Sequence, residues 1–349
     1  MTETAELDLL RDSTRKALSQ YPDALGFAHG DDLAPPAVAD LMATAAAQGW
    51  MAMLLPEARG GLGLGMREAV IVAEEAGRAL APGPLEANAV LVPLVAAACD
   101  AAWMTALAAD VAGGETVASV GVADEGCGPR ARVFVEHPTS ATVVLRLGLT
   151  RGRTSETLVI ERLSHPDLKV LKPFDPACPL AELLGFADVT DHVALNPDAT
   201  AAVLGAAQIW IAADLLGAAT RAGEMSVAYA GTRKQFGTLI GTNQAIKHRI
   251  VDDYILRQNA AAIIADAARA WDARQDDRLI LAHAARAAAT SAAIASTAHC
   301  IQVHGAIGFS AESSIHLAYK RVRRLACSLG DEARSRAVIA AHLVAGTAA

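Results

Sequence analysis

The chain has 349 residues, is 53% hydrophobic and only 4% aromatic, and carries a formal net charge of −8. That length is enough for a large buried core and two or three subdomains. The acidic balance, with no block of Lys and Arg, argues against a nucleic-acid partner, because phosphate binding relies on clustered cations.

Cys99, Cys127, Cys178, Cys300 and Cys327 are odd in number and widely scattered. They show neither a zinc spacing nor a disulfide framework, so no metal site is expected and a reducing cytoplasm is the plain reading. The opening stretch MTETAELDLLRDSTRK is acidic and amphipathic, without the apolar region of a signal peptide. The apolar runs Ala199–Ala213 and Ala287–Ala298 stop short of the ~18–20 residues a membrane span requires, so no membrane partner is expected.

Residues 1–112 read as an N-terminal helical domain. An acidic first helix is followed by PPAVADLMATAAAQGW, MREAVIVAEEAGRAL and LEANAVLVPLVAAA. Pro35 and Pro36 suit a helix start, where a missing N–H costs nothing. LLPEARGGLGLG is a glycine-rich turn between helices.

Over residues 113–196 the pattern changes to short β-branched runs: TVASVGV, RVFVEH, ATVVLRL, ETLVIERL, LKVLK and DHVAL. Their length and composition predict about six strands in an antiparallel barrel or sandwich.

Residues 197–349 return to helical periodicity and read as a helical bundle. The stretch from Pro197 to Gln235 predicts one helix of over thirty residues, ~50 Å long at ~1.5 Å per residue. Gly237 is its expected stop, and Thr242 the expected cap of a second helix to about Arg274. A third helix ends near Gly305, and two shorter ones are separated at Gly330.

Two stretches carry candidate chemistry. In AGTRKQFGTLIGTNQAIKH, Arg233 and Lys234 have a simple explanation as cations beside the negative end of a helix dipole, worth ~0.3–1 kcal/mol. That does not account for Phe236 at the same tip, or for Gln244 and His248 at i, i+4 on the next helix. A planar cation, an aromatic face and amides are the set needed to hold a pyrophosphate beside an aromatic base. In IQVHGAIGF, Gly305 and Gly308 bracket a helix end, and the bared backbone beside Gln302 and His304 admits close approach of a phosphate or ribose.

GWMAMLLPEARGGLGLG, YAGTRKQFGTLIGTNQAIKHRIVDD and IQVHGAIGFSAESSIHLAYKR resemble the acyl-CoA dehydrogenase family, in order and separation. The resemblance covers nearly the whole chain, and its most specific element is Arg-x-Gln-Phe-Gly with a Gln eleven residues after the Arg. It implies a mainly α fold with a central β domain: an N-terminal helical domain, a middle β-barrel and a C-terminal four-helix bundle. It also implies FAD-dependent oxidation of the Cα–Cβ bond of an acyl-CoA thioester. There a carboxylate removes the α-proton while the flavin accepts the β-hydride.

Residue by residue, the resemblance splits. In the family, the counterparts of Arg233, Phe236, Gln244, Gln302, Gly305 and Ala306 reach the adenosine and pyrophosphate of a flavin held by the neighbouring subunit, and Gln235 lies in the same element. All but Ala306 match, a Gly being usual there. The loop that cradles the flavin ring, Thr-Glu-Pro-x-Ala-Gly-Ser-Asp, is replaced by VGVADEGCGPRARVFVEH, and no Trp occurs between Trp103 and Trp210.

The base positions hold no acid. The usual Glu before a Gly at the bend into the last helix reads Leu329-Gly330. The alternative position, twenty-six residues before Arg233, is Ala207. Asp331 is the nearest substitute, with a simpler role as favourable charge at a helix N-terminus.

This asymmetry resembles that of the shorter subunit of heteromeric, α2β2 steroid-type members, in which a longer homologous chain supplies the base and the flavin-ring pocket. That reading implies an acyl-CoA substrate with a bulky group such as a steroid. Two alternatives stay open: a self-sufficient homo-oligomer with a displaced base, and a flavin-free structural or regulatory relative.

Overall fold

The computed structural model describes residues 3–21, 35–124, 132–151, 156–184, 188–310 and 313–347. The substituted flavin-ring loop falls partly outside these, at residues 125–131. The helices are α1 Glu3–Leu18, α2 Pro35–Ala47, α3 Met66–Ala79, α4 Val92–Ala98 and α5 Ala102–Gly113, then α6 Pro197–Thr232, α7 Gln244–Asp272, α8 Arg278–His304, α9 Ile315–Leu325 and α10 Glu332–Thr347. Between α5 and α6 lie β1 Ala118–Asp124, β2 Phe134–Glu136, β3 Val143–Arg151, β4 Glu156–Ser164, β5 Leu168–Leu171, β6 Leu180–Leu183 and β7 Asp188–Ala194. The chain is mainly helical with one central sheet, as expected. It divides into two compact units, residues 32–69 with 82–207, and residues 1–31 with 70–81 and 208–349.

The first unit holds the sheet, in the order β5-β6-β2-β1-β3-β4-β7. The expected all-antiparallel barrel or sandwich is corrected here: the sheet is mixed, and among the described residues no pairing joins β5 to β7 to close it. The parallel pair is β1 with β3, in register from Ala118↔Val143 to Asp124↔Leu149. Its cause is the connection after β2. The chain turns at His137, in the left-handed region at φ 51°, and crosses the start of β1, where Thr142 and Val143 donate their N–H groups to Val117 O at 2.8 and 3.2 Å. β3 therefore adds to the far side of β1.

Strand β6 was not expected, because Leu-Ala-Glu-Leu is a helix-forming composition. It exists because it pairs on both sides, with β2 and with β5, and such tertiary pairing outweighs a weak local preference. Asn88, fully buried, fastens the sheet by donating to Ala118 O at 2.9 Å and accepting from Ala118 N at 2.8 Å. It sits in a π-helical stretch, Ala87–Leu91, that interrupts the single helix expected there.

The second unit is helical. Small residues let its helices approach to backbone contact: a Cβ on Gly77 would meet Asp214 O at 2.0 Å, and one on Gly217 would meet Glu74 O at 2.0 Å. Arg321 then reaches Asp214 through a two-pronged pair, Nε to Oδ1 at 2.8 Å and Nη2 to Oδ2 at 2.6 Å, with both side chains buried. Its Nη1 donates to Ala81 O at 2.8 Å. Among the described residues two helical stretches, Pro197–Thr232 and Arg278–Phe309, are long and apolar enough to span a membrane by length and composition, which the separate apolar runs did not reveal. In the first of them 83% of the most apolar window is buried inside the protein, as in a core helix.

Candidate functional site

Helix α6 ends at Thr232, three residues earlier than periodicity predicts, with Thr232 Oγ1 donating to Ala228 O at 3.1 Å. The chain then forms a hairpin of β8, Lys234–Gln235, and β9, Thr238–Leu239. Phe236 and Gly237 are its two turn residues, at φ 51° and 84°. Two positive values in a two-residue loop define a type I′ turn, whose twist matches that of the flanking strands. Gly237 is thus a turn residue and not a helix stop. Phe236 occupies the position that Asn usually takes, and its side chain is 102% exposed.

The hairpin returns to the bundle through Ile240, whose N–H donates to Arg233 O at 2.9 Å. Ile240 packs with Ala230 and Val303, and with Tyr229, Ile246 and Ile250 around them. Gly241 lies so near α6 that a Cβ would meet Ala230 O at 2.7 Å. Thr242 does not cap α7: its hydroxyl donates to Leu239 O at 2.6 Å, and Asn243 stands at the cap position in an extended conformation.

The same cluster draws in the end of α8. His304 stacks on Tyr229 with ring centroids 4.2 Å apart, while its Nδ1 lies 2.8 Å from Cys300 O. Gln302 flanks Val303, and Gly305 and Ala306 follow directly. The packing therefore gathers Arg233, Gln235, Phe236, Gln244, Gln302, Gly305 and Ala306 at one end of the helical unit, and all seven are exposed. Gly305 adopts φ 63° and ψ −134°, and a Cβ placed on it would meet nothing within 4 Å. Gly308 is different, because its Cβ would strike Ile301 O at 2.7 Å.

The turn between α9 and α10 contains the position where a base is expected. Leu329 and Gly330 take φ 50° and 113°. Gln208 Nε2 donates to Leu329 O at 3.0 Å. Arg286, wholly buried, donates from Nη2 to Leu325 O, Ser328 O and Gly330 O at 2.6, 3.1 and 3.1 Å. Asp331 is exposed, and its Oδ1 accepts the Arg334 N–H at 2.8 Å, which makes it the cap of α10. Ala207 is fully buried.

Residues 4–115 match the family "Acyl-CoA dehydrogenase, N-terminal domain" and residues 198–344 match "Acyl-CoA dehydrogenase, C-terminal domain". Acyl-CoA dehydrogenase IpdE2 of Mycobacterium tuberculosis is 33% identical over 275 residues, which cover 78% of this chain and 76% of the relative. The chain belongs to the acyl-CoA dehydrogenase family. Among solved structures, a variant of the Tcur3481-Tcur3483 steroid ACAD superposes with TM-score 0.82 at 23% identity, covering 100% of both chains. The ChsE4-ChsE5 complex from Mycobacterium tuberculosis superposes with TM-score 0.80 at 19% identity, over 99% of this chain and 98% of that one. Both share the acyl-CoA dehydrogenase fold.

Two features of this family member escaped sequence reasoning. Gln208 and Arg286 fix the Leu329 turn from far along the chain, and no local pattern announces either. Glu136, His137 and Cys178 bring their ligating atoms within 4.8 Å of one another, although all three also have interaction partners within the fold. Glu136 and His137 adjoin in sequence, but Cys178 joins them only through the β2–β6 pairing, so spacing could not reveal the group.

Proposed function

We propose that this chain is the shorter, base-less subunit of an FAD-dependent acyl-CoA dehydrogenase and completes the adenosine and pyrophosphate end of a flavin site belonging to a longer homologous chain. The observation that carries this is Phe236. A bulky residue in the left-handed region costs about 1–2 kcal/mol, and a wholly exposed aromatic ring gains nothing from its own chain in return. Such strain is retained where an external group covers it.

The surrounding residues fit FAD. The Arg233 guanidinium has no ion pair among the described residues and is available to a pyrophosphate. Gln244 and Gln302 offer exposed amides, Phe236 a face for stacking, and Gly305 an open backbone. When bound, FAD supplies the hydride acceptor for α,β-desaturation of an acyl-CoA thioester. What this chain contributes is binding and orientation of the cofactor's distal half. Its base positions support the same reading, since Leu329 is held by its carbonyl and Asp331 caps a helix.

Exposed Val227, Val251, Tyr254 and Ile255 form an apolar face on α6 and α7 suited to a companion subunit. A bulky acyl group is the proposed substrate class, supported by the description of one structural neighbour as a steroid ACAD. A reducing cytoplasmic location is proposed with it.

The test is purification alone against co-expression with the longer homologue. Alone, the chain should be colourless and inactive; together, the pair should be yellow and should oxidise acyl-CoA in a dye-coupled assay. A yellow, active protein from this chain alone means a self-sufficient enzyme, and a colourless pair means a flavin-free relative.

A further inference from the structure

Arg257 lies on α7 and is only 8% exposed, yet it makes no hydrogen bond or ion pair among the described residues, and its Nη1 is a fully buried donor without a partner. The two acids whose charge it feels are engaged elsewhere. Asp253 Oδ1 accepts from His299 Nδ1 at 2.7 Å, and Glu224 takes Arg78 Nη2 on both oxygens at 3.0 and 2.9 Å. Burial accordingly pulls the Arg257 guanidinium below its ordinary value, with Asp253 and Glu224 opposing that at a distance.

The placement is built into the two helices. Gly223 on α6 leaves the space the guanidinium fills, since a Cβ there would come within 2.2 Å of Nη1 and 2.4 Å of Cζ. The Tyr254 ring centroid lies 6.0 Å from Cζ, with the guanidinium over the ring. Arg257 forms part of the wall of an open depression of about 470 Å3, together with Thr220, Glu224, Tyr254 and Gln258. Through Val227 this depression continues into an apolar one of about 460 Å3, which is lined by Leu239, Ile246 and Ile250 and leads toward the hairpin. Val227, Val251 and Tyr254, each more than half exposed, line the pair, and Ile255, equally exposed, follows Tyr254 on α7.

We propose that Arg257 receives the carboxylate of an Asp or Glu side chain presented by the companion subunit, as the charged anchor of the interface along α6 and α7. This rests on the reading that the chain works within a complex. A buried guanidinium without a counter-charge calls for an anion, and a planar fork suits a carboxylate. The apolar collar favours an anion carried on a protein surface over a free one, because docking that surface also covers Val227, Tyr254 and Ile255. An Arg beside a Tyr in a desolvated pit has the composition of an interface hot spot.

The experiment compares wild type, Arg257→Met and Arg257→Glu by sedimentation of the complex with the longer homologous subunit, and by thermal unfolding of this chain alone. Arg257→Met should weaken assembly ~10–100-fold while leaving the melting temperature of the isolated chain unchanged or raised, because the charge it removes has no partner there. Arg257→Glu should prevent assembly. Equal assembly of wild type and Arg257→Met overturns the inference, as does a fall in the isolated chain's melting temperature that matches the loss of assembly. A free-anion site is probed with sodium acetate against sodium chloride at equal ionic strength. Acetate-specific stabilisation that Arg257→Met abolishes, with assembly untouched, would also overturn it. If wild type forms no complex with the longer homologue, the proposed function fails and takes this inference with it. A complex indifferent to Arg257 overturns the inference alone.

Discussion

Gln208 Nε2 donates to Leu329 O at 3.0 Å, joining side chain to main chain across 121 residues of sequence. Leu329 sits at φ 50°, a conformation that L side chains rarely adopt, so the turn needs fixing from outside. Gln208 and Arg286 do this together. The position at which the family resemblance leads one to expect an acid is a structural joint in this chain. Replacing Gln208 by Ala should lower the unfolding free energy by about 1 kcal/mol, the cost of leaving a part-buried carbonyl without its donor. Denaturant unfolding of the isolated chain checks this.

Phe236 is expected to separate stability from function. Phe236→Asn places the preferred residue at the first position of the type I′ turn and should stabilise the isolated chain by about 1 kcal/mol. The same substitution removes the stacking face and should reduce flavin retention in the complex. Thermal unfolding of the chain and the flavin-to-protein absorbance ratio of the complex must move in opposite directions. A ring that packed only within its own chain would make both fall.

Asp214 and Arg321 form a buried pair that fixes α9 against α6. Asp214→Ala leaves the Arg321 charge buried with only the Ala81 carbonyl as partner, and should cost about 3–5 kcal/mol. Loss of soluble expression, or a shift of that size in denaturant unfolding, is the expected result.

Glu75 should make stability depend on acid pH. Burial pushes its carboxyl up, but Arg15 and Arg11 outweigh burial and hold it below its ordinary value. A depressed folded value means a contribution that is complete above the ordinary value of 4.5 and is lost as pH falls through the lowered one. Both arginines are partly exposed, so the contribution is about 1–3 kcal/mol and not the larger figure of a fully buried triad. Wild type should melt higher than Glu75→Gln at pH 7, and the gap should close at the acid end.

What could be read from the sequence follows the range of the forces involved. The α–β–α order is local, since it depends on period and composition, and Arg233 to Gln244 could be read together because they form one short stretch. Other features resisted for two opposite reasons. The hairpin at Phe236 was hidden by a helix pattern running into it, where only the left-handed pair Phe236-Gly237 marks the turn. The parallel pairing of β1 with β3 and the existence of β6 depend on partners far along the chain, which no window on Leu180–Leu183 contains. The joint at Leu329 belongs to the same class. That Leu329 is not an acid is visible in sequence, but the Gln208 and Arg286 contacts that hold this turn are not.

The most direct test of the flavin assignment is the FAD content of the complex between the longer homologue and Arg233→Ala, measured by absorbance after gel filtration at fixed ionic strength. Loss of a charge-assisted contact to pyrophosphate is worth about 1.5–3 kcal/mol, so FAD should dissociate ~10–150-fold more readily while the complex stays assembled. An assembled Arg233→Ala complex that retains FAD as tightly as wild type would contradict the account.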